Sequence, residues 1–381
     1  MKSIKPLKVV TVVGTRPEII RLSRIITELD KSKSINHVLI HTGQNYDYTL
    51  NEIFFKDLQI RKPDYFLEAS AKSASETIGN IIIKIDPLFE DLNPDALIIL
   101  GDTNSCLCSI PAKKRKIPIF HIEAGNRCFD QRVPEETNRK IVDHIADVNM
   151  TYSEIAREYL IREGLSGDRI IKIGSPMFEV LNFYSNKMSK SSILNNLSLK
   201  KDKYFLVSSH REENISDSEK FITLINNLNQ LARDFKLPII VSTHPRTRKK
   251  LNEQNLKTDS LIQFLDPLGF IDYNVLQKNA FVVLSDSGTI SEESSILNFK
   301  ALNIRETHER PEAMEEASVM MVGFDYDNIL RGIEEVGKQF TANKRNFNMV
   351  ADYSKSNVSL KVVRIILSYT SYINRVVWQK K

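Results

Sequence analysis

Val9-Val10-Thr11-Val12-Val13-Gly14-Thr15-Arg16-Pro17-Glu18 is a run of β-branched residues that stops at a glycine and turns into a helix start. Side chains branched at Cβ favour an extended strand. Pro17 sits where a first-turn proline is tolerated, and the apolar spacing beyond it predicts a helix over 17–29. Outward from this opening the same alternation recurs. Strands are predicted at 37–41, 96–100, 117–121, 148–151 and 170–173, and helices at 74–92, 134–146 and 154–163, with Pro134 again in a first turn. Repeated strand-then-helix reads as a parallel sheet covered on both faces.

Around 186–203 the pattern dissolves into Ser, Lys and Asn, and then it resumes. Strands follow at 204–209, 238–243, 261–265 and 281–285, and helices at 216–235 and 272–279. Ser216 and Glu219 fit a capping box at the head of the longer helix. The expected fold class is therefore α/β: two Rossmann-like parallel-sheet domains with a cleft between them. The expected boundaries are 1–175 and 176–355, with the segment 356–381, helical to about residue 378, packing back on the first domain. A chain of 381 residues with 41% hydrophobic side chains can fill two cores.

Composition removes several function classes. The formal charge of +5 is small and spread out. Lys113-Lys114-Arg115-Lys116 and the basic run 246–250 lack interleaved aromatics, so they read as solvated faces and no nucleic-acid partner is expected. Cys106, Cys108 and Cys128 are too few for a disulfide framework, and a lone C-x-C with no His pair does not hold zinc. No apolar run is long enough for a membrane span or a signal core, so a cytoplasmic protein without membrane attachment is expected.

In open parallel sheets ligands bind beyond the carboxyl ends of the strands. Here those ends read Gly14-Thr15-Arg16, His41-Thr42-Gly43-Gln44-Asn45, Gly101-Asp102-Thr103-Asn104 and His121-Ile122-Glu123-Ala124-Gly125 in the first half. In the second half they read Ser208-Ser209-His210-Arg211, Thr243-His244-Pro245-Arg246, Ser285-Asp286-Ser287-Gly288-Thr289 and Ile304-Arg305, the last leading to Glu309-Arg310-Pro311-Glu312. Any one could be ordinary helix capping. Eight polar endings on one edge describe a ligand site. Ser287-Gly288-Thr289 opens a helix, where backbone N–H groups and the helix dipole can hold a phosphate, with Arg310 and His210 as cationic neighbours. The first half supplies carboxylates instead: Asp102, Glu123 and Glu135. A phosphate-holding side and an acidic side together suit proton transfer on a sugar nucleotide. No G-x-G-x-x-G follows a strand and no P-loop is present, so no tightly held dinucleotide, nucleotide triphosphate chemistry, metal or other cofactor is expected.

Seven of these motifs, in order from residue 14 to 312, resemble the non-hydrolysing UDP-N-acetylglucosamine 2-epimerases. They are Gly14-Thr15-Arg16-Pro17-Glu18, Gly101-Asp102-Thr103, His121-Ile122-Glu123-Ala124-Gly125, Pro134-Glu135-Glu136-Thr137-Asn138-Arg139, His210-Arg211-Glu212-Glu213-Asn214, Asp286-Ser287-Gly288-Thr289 and Glu309-Arg310-Pro311-Glu312. The resemblance implies a glycosyltransferase-B type fold and a reaction that eliminates UDP across C1–C2 and adds it back after C2 is protonated from the opposite face. It implies Asp102, Glu123 and Glu135 as acid/base carboxylates, with His210 at the phosphates assisting departure of UDP. Arg16, Ser287, Gly288, Thr289, Glu293 and Arg310 would hold the nucleotide, Glu293 at the ribose hydroxyls, and Arg139 would lie near the sugar or diphosphate. For Glu135 and Arg139 a plain i,i+4 ion pair is a rival reading.

Arg21 stands where the best-known branch has Lys, which keeps a cation but changes its reach. The segment 125–132, with Phe270-Ile271-Asp272-Tyr273-Asn274 and Ala301-Leu302-Asn303-Ile304-Arg305, resembles the branch that makes UDP-N-acetyl-L-fucosamine from its talose epimer. The region 69–75 lacks the Gln/Arg pattern associated with allosteric UDP-N-acetylglucosamine binding. The resemblance further implies a homodimer and a place in surface polysaccharide precursor synthesis. Rival readings are a glycosyltransferase of the same fold, a hydrolysing epimerase and a catalytically silent nucleotide-sugar sensor.

Overall fold

The computed structural model describes residues 5–44, 54–209, 217–243, 250–251, 254, 256–340 and 344–380. Asn45, His210, Arg211, Glu212, Glu213, Asn214, Ser216, His244, Pro245 and Arg246 lie outside the described residues. The chain divides into two compact units, Met1–Asn182 with Ser354–Lys381, and Phe183–Tyr353.

The first unit is built on β1 (Leu7–Val13), β2 (Ile35–His41), β3 (Tyr65–Phe66), β4 (Ala96–Leu100), β5 (Ile119–Ile122), β6 (Val148–Thr151) and β7 (Ile170–Lys172). Their order is β3-β2-β1-β4-β5-β6-β7, and each neighbouring pair is parallel. Val9, Val10, Val12 and Val13 are all buried, as a strand covered on both faces requires. Helix α1 (Arg16–Lys31) buries Ile19, Leu22, Ile25, Ile26 and Leu29 on one stripe. Helix α2 (Ala74–Leu92) buries Thr77, Ile81, Ile85 and Phe89 at four-residue spacing, and the last three pack with Val10, Val12, Leu97 and Ile99. Ser73 Oγ accepts from Glu76 N at 3.1 Å and the Glu76 carboxylate accepts from Ser73 N at 3.1 Å, which closes a capping box at its head. Helix α3 (Glu135–Ile145) connects β5 to β6.

The second unit repeats the plan with β8 (Phe205–Ser208), β9 (Ile239–Ser242), β10 (Ile262–Leu265), β11 (Val282–Ser285), β12 (Ala301–Asn303) and β13 (Met320–Met321), in the order β10-β9-β8-β11-β12-β13 and parallel throughout. Alternation along β8 splits its side chains between two cores. Phe205 and Val207 join Phe221, Leu224, Ile225 and Leu228 of α4 (Ser218–Phe235). Tyr204 and Leu206 join Leu276 of α5 (Phe270–Asn279) and Ile290 of α6 (Thr289–Leu297). The cap of α4 is Asp217, whose Oδ1 accepts from Glu219 N at 2.9 Å and Lys220 N at 3.3 Å. A carboxylate one residue closer to the first turn takes the role the Ser216–Glu219 spacing suggested.

Both sheets reverse their strand order beside the first strand of the unit, at β1/β4 and at β8/β11, which is where such sheets open a ligand crevice at the carboxyl edge. Helix α7 (Val358–Val376) belongs to the first unit and packs on α1. It is tied there by Ser359 N to Glu179 at 2.9 Å, Lys361 Nζ to the Ile173 carbonyl at 2.9 Å and Tyr372 Oη to Asp168 at 2.9 Å. Among the described residues no helix is long and apolar enough to cross a membrane, and no cluster of His, Cys, Asp and Glu could hold a metal ion. The three cysteines are buried free thiols.

Candidate active site

The carboxyl edge of the first sheet is organised by Glu18. Its side chain is buried and turns back onto the end of β1. Oε2 accepts from Gly14 N at 2.8 Å, Thr15 N at 2.6 Å and the Thr15 hydroxyl at 2.9 Å, while Oε1 accepts from the Thr103 hydroxyl at 2.9 Å. One carboxylate thus joins the loops after β1 and β4. Burial pushes its pKa up to about 7, against the pull of those four hydrogen bonds. Gly14 must be glycine here, since a Cβ would lie 1.9 Å from Ser105 Oγ and 2.4 Å from Thr42 Oγ1.

Asp102 follows β4, and Glu123 follows β5, the adjacent strand. Leu100 and Ile122 are register partners, so the two carboxylates leave neighbouring strands within two residues of that pair. Arg139, buried on α3, reaches across to Asp102: Nε lies 3.0 Å and Nη2 2.6 Å from the same oxygen, Oδ2. Its Nη1 binds Glu136 at 3.0 Å, and Glu136 also accepts from Cys128 N at 3.2 Å. Asn138, one residue earlier on α3, donates to the Asp102 carbonyl at 2.9 Å and to Asn104 Oδ1 at 3.1 Å. The first turn of α3 is thereby clamped to the end of β4.

Glu123 is held from α1. Arg21, a buried side chain, places Nη1 2.7 Å from Glu123 Oε2, and Asn126 Nδ2 donates to Oε1 at 3.3 Å. The Arg21 guanidinium carbon also lies 5.8 Å from the centre of the Tyr152 ring. Glu123 has φ of +68°, the left-handed region that a residue with a Cβ enters at a cost of about 1–3 kcal/mol. Gly125, at φ of +81°, completes the turn, and a Cβ there would meet the Ala156 carbonyl oxygen at 2.4 Å. Asp102 keeps 22% of its side-chain surface and Glu123 12%, so both stay reachable while their arginines do not. Glu135 opens α3 half-buried, with no hydrogen-bond partner among the described residues. The i,i+4 pair with Arg139 does not form, because Arg139 is turned to Asp102 and to Glu136 at i−3. Arg16 is half-buried at the head of α1, 5.4 Å from the Phe54 ring centre.

In the second unit the reversal point carries Asp286, fully buried, whose Oδ2 accepts from the Ser209 hydroxyl at 2.9 Å. Ser287 and Thr289 face one another with hydroxyls 3.0 Å apart at the start of α6, whose N-cap is Gly288. One turn on, Glu293 Oε2 accepts from Gln277 Nε2 at 2.7 Å and from the Thr289 hydroxyl at 3.3 Å. Arg310 is buried with Nη2 3.6 Å from Glu292 Oε2, and Arg305 pairs with Glu309 at 3.2 Å. The first unit therefore brings Asp102, Glu123, Arg21 and Arg139 onto one edge, and the second brings Ser287, Gly288, Thr289 and Glu293 onto one helix end with Arg310 on a nearby loop.

The family model described as UDP-N-acetylglucosamine 2-epimerase matches residues 27–367. The chain belongs to this family. A relative from Methanococcus maripaludis named UDP-N-acetylglucosamine 2-epimerase is 35% identical over 364 residues, 93% of this chain and 98% of the relative. Among solved structures, the UDP-N-acetylglucosamine 2-epimerase from Rickettsia bellii is 51% identical with a TM-score of 0.91, covering 98% of this chain and all (100%) of that one. The Methanocaldococcus jannaschii UDP-GlcNAc 2-epimerase, solved in complex with UDP-GlcNAc and UDP, is 32% identical with a TM-score of 0.88, over 95% of this chain and 99% of that one. The fold is the glycosyltransferase-B type of these 2-epimerases.

Sequence reasoning assigned no role to four side chains that build this edge of the first unit: Glu18, Glu136, Asn138 and Asp143, the last paired with His121 and Arg127. Glu18 is a T-x-x-E capping acid by its spacing from Thr15, and that spacing was its available signal. Its bond to Thr103 spans 85 residues and leaves no local pattern. Glu136 and Asn138 sit between the two residues of α3 that drew attention, and each has a partner on a loop outside that helix.

Proposed function

We propose that the chain inverts C2 of UDP-N-acetylglucosamine by eliminating UDP across C1–C2 and adding it back, without releasing free sugar. A base removes the C2 proton while the C1–O bond breaks, the C–H electron pair becomes the C1=C2 bond, and UDP leaves with the C1–O electrons. Protonation of C2 on the opposite face and attack of the UDP oxygen on C1 restore a saturated sugar with C2 inverted. Protons, electrons and UDP all balance, so the step asks the protein for carboxylates, cations and a nucleotide grip.

The observation that carries this reading is the pair Asp102 and Glu123, two reachable carboxylates on adjacent strand ends, each held by a buried arginine. Removal of a proton on one face and delivery on the other needs two such groups, and Glu135, with no hydrogen-bond partner among the described residues, supplies a third. Ser287, Gly288, Thr289, Arg310, Arg16 and His210 hold the UDP moiety in this reading, and Glu293 takes the ribose. The names of the relatives favour the glucosamine nucleotide over the 6-deoxy talosamine nucleotide that segment 125–132 suggested. A homodimer, a cytoplasmic location and a role in surface polysaccharide precursor synthesis belong to the same proposal and rest on the family resemblance.

Positional isotope exchange tests it. Substrate labelled with ¹⁸O in the bridge between C1 and the β-phosphorus should scramble that label into the non-bridging β-phosphate oxygens as fast as it epimerises, or faster, because departed UDP can rotate before it returns. Epimerisation with the bridge label intact would mean that the C1–O bond never breaks.

A further inference from the structure

Beneath both carboxylate loops lies a buried ion pair that the reaction as written does not use. His121, in β5 and 1% exposed, has Nε2 2.7 Å from the Gly101 carbonyl oxygen and Nδ1 2.9 Å from Asp143 Oδ1. Both neighbours are acceptors: the Gly101 carbonyl takes a hydrogen bond from Nε2, and Asp143 Oδ1 faces Nδ1 at ion-pair distance without an aligned hydrogen bond. A neutral ring carries only one N–H and would aim its other lone pair at a carbonyl or a carboxylate. Protonating Asp143 instead would spoil its remaining contacts. The Asp143 carboxylate receives Arg127 Nη1 at 2.7 Å and the Gly125 N–H at 3.2 Å from each oxygen. Arg127 is in turn fixed by Glu163, from Nε at 2.8 Å and Nη2 at 2.6 Å.

The chain positions at the two ends of this pair matter. Gly101, whose carbonyl His121 grips, immediately precedes Asp102. Gly125, whose N–H Asp143 grips, lies two residues past Glu123 in the same left-handed turn. We propose that His121 is an imidazolium locked to Asp143 and serves as the positioning residue that sets Asp102 and Glu123 relative to one another. This role rests on the epimerase reading, whereas the charge on the ring does not. The groups facing the ring support the cation. Burial opposes its charge, but the close contact and charge of Asp143, the Gly101 carbonyl and the charge of Asp102 outweigh burial and raise His121 above the ordinary histidine value. Burial likewise raises Asp143, and the close contacts and charges of His121 and Arg127 more than reverse it. A fixed spacing of reacting groups is worth having, since a displacement of about 1 Å can cost roughly a hundredfold in rate.

Two measurements on the full-length protein test the proposal. The ring ¹⁵N resonances of His121, assigned through the backbone, should show both nitrogens protonated at neutral and mildly alkaline pH. A single neutral tautomer at neutral pH overturns it, whatever the enzyme's activity. His121→Asn and Asp143→Asn, compared per folded molecule, should lower kcat for epimerisation by about 10–100-fold with KM and UDP affinity unchanged. A variant that is less stable but turns over at the wild-type rate would make the pair merely structural and would also overturn it. If the wild type itself inverts no UDP-sugar, the epimerase reading fails, and the ring spectrum still decides the charge on His121.

Discussion

Asp102 and Glu123 are held differently, and the difference bears on what each can do. Arg139 directs two nitrogens at one oxygen of Asp102, whereas Arg21 and Asn126 take separate oxygens of Glu123 in a strained turn. The strain aims the Glu123 side chain, and backbone of this kind persists only where its surroundings enforce it. Replacement of Asp102 by Asn, Glu123 by Gln or Glu135 by Gln should each lower kcat by about 10²–10⁴-fold while UDP-sugar binding is largely kept. Steady-state kinetics with calorimetric binding checks this, and Asp102→Asn at the wild-type turnover would remove it from the chemistry. For the nucleotide, Arg310→Ala should weaken UDP binding by about 1.5–3 kcal/mol. Arg310→Lys keeps a charge beside the fully buried Glu292 and separates lost recognition from lost folding. UDP affinity unchanged in Arg310→Ala would take Arg310 out of the site.

At the scale of strands and loops, Glu18 is the hinge pin between β1 and β4. Glu18→Gln can keep the Gly14 and Thr15 N–H bonds with its oxygen and turn its amide toward Thr103, whose hydroxyl can accept. Glu18→Ala leaves those backbone donors without their acceptor and should cost about 2–4 kcal/mol in urea unfolding, the Gln variant much less. The pH dependence has a definite sign. With its folded pKa raised from 4.5 to about 7, the folded state binds the Glu18 proton more tightly than the unfolded state. Stability from this group is therefore full below 4.5, falls between 4.5 and 7 and stays low above, by a few kcal/mol at most. The stability of Glu18→Gln relative to wild type should rise across that window. A pH-independent difference would contradict it.

What could be read from the sequence at this scale follows the physics of range. Strands such as β1 and β4 announce themselves as β-branched runs. Two-residue strands like β3 and β13 are too short for any periodicity, and no reading found them or the helix Tyr326–Gln339. Asp102, Glu123 and Arg139 were legible because their motifs are local. Glu18 was legible only as a local capping acid, since its bond to Thr103 is made by the sheet, and Asp143 was not legible, because the fold brings His121, Gly125 and Arg127 to it. His121 was legible as part of a motif and illegible as a cation, because a backbone carbonyl leaves no trace in a sequence.

For the whole molecule, two units repeat one strand order, and each brings its polar residues to the point where that order reverses. The alternation of strands and helices anticipated two parallel sheets with polar strand ends, because parallel sheets need crossover helices and both faces covered, but it carried no information on the strand order. The buried pair should also mark the stability of the first unit. Asp143, depressed below 3.8, contributes stability that is lost as pH falls through its lowered value; His121, raised above 6.5, contributes stability lost as pH rises through its raised value. The stability difference between wild type and His121→Asn should thus be largest between 3.8 and 6.5 and shrink on either side, as followed by denaturant unfolding. A difference that grows above neutral pH would contradict the sign.

In the proposed reaction this chain exchanges the C2 proton of a UDP-N-acetylamino sugar while inverting that carbon. Incubation of the purified protein with UDP-N-acetylglucosamine in D₂O, followed at C2 by proton NMR, reads out that exchange. Deuterium should enter C2 as the manno epimer appears, with no free sugar released. Protein that binds UDP yet leaves the C2 proton in place would contradict the proposed reaction.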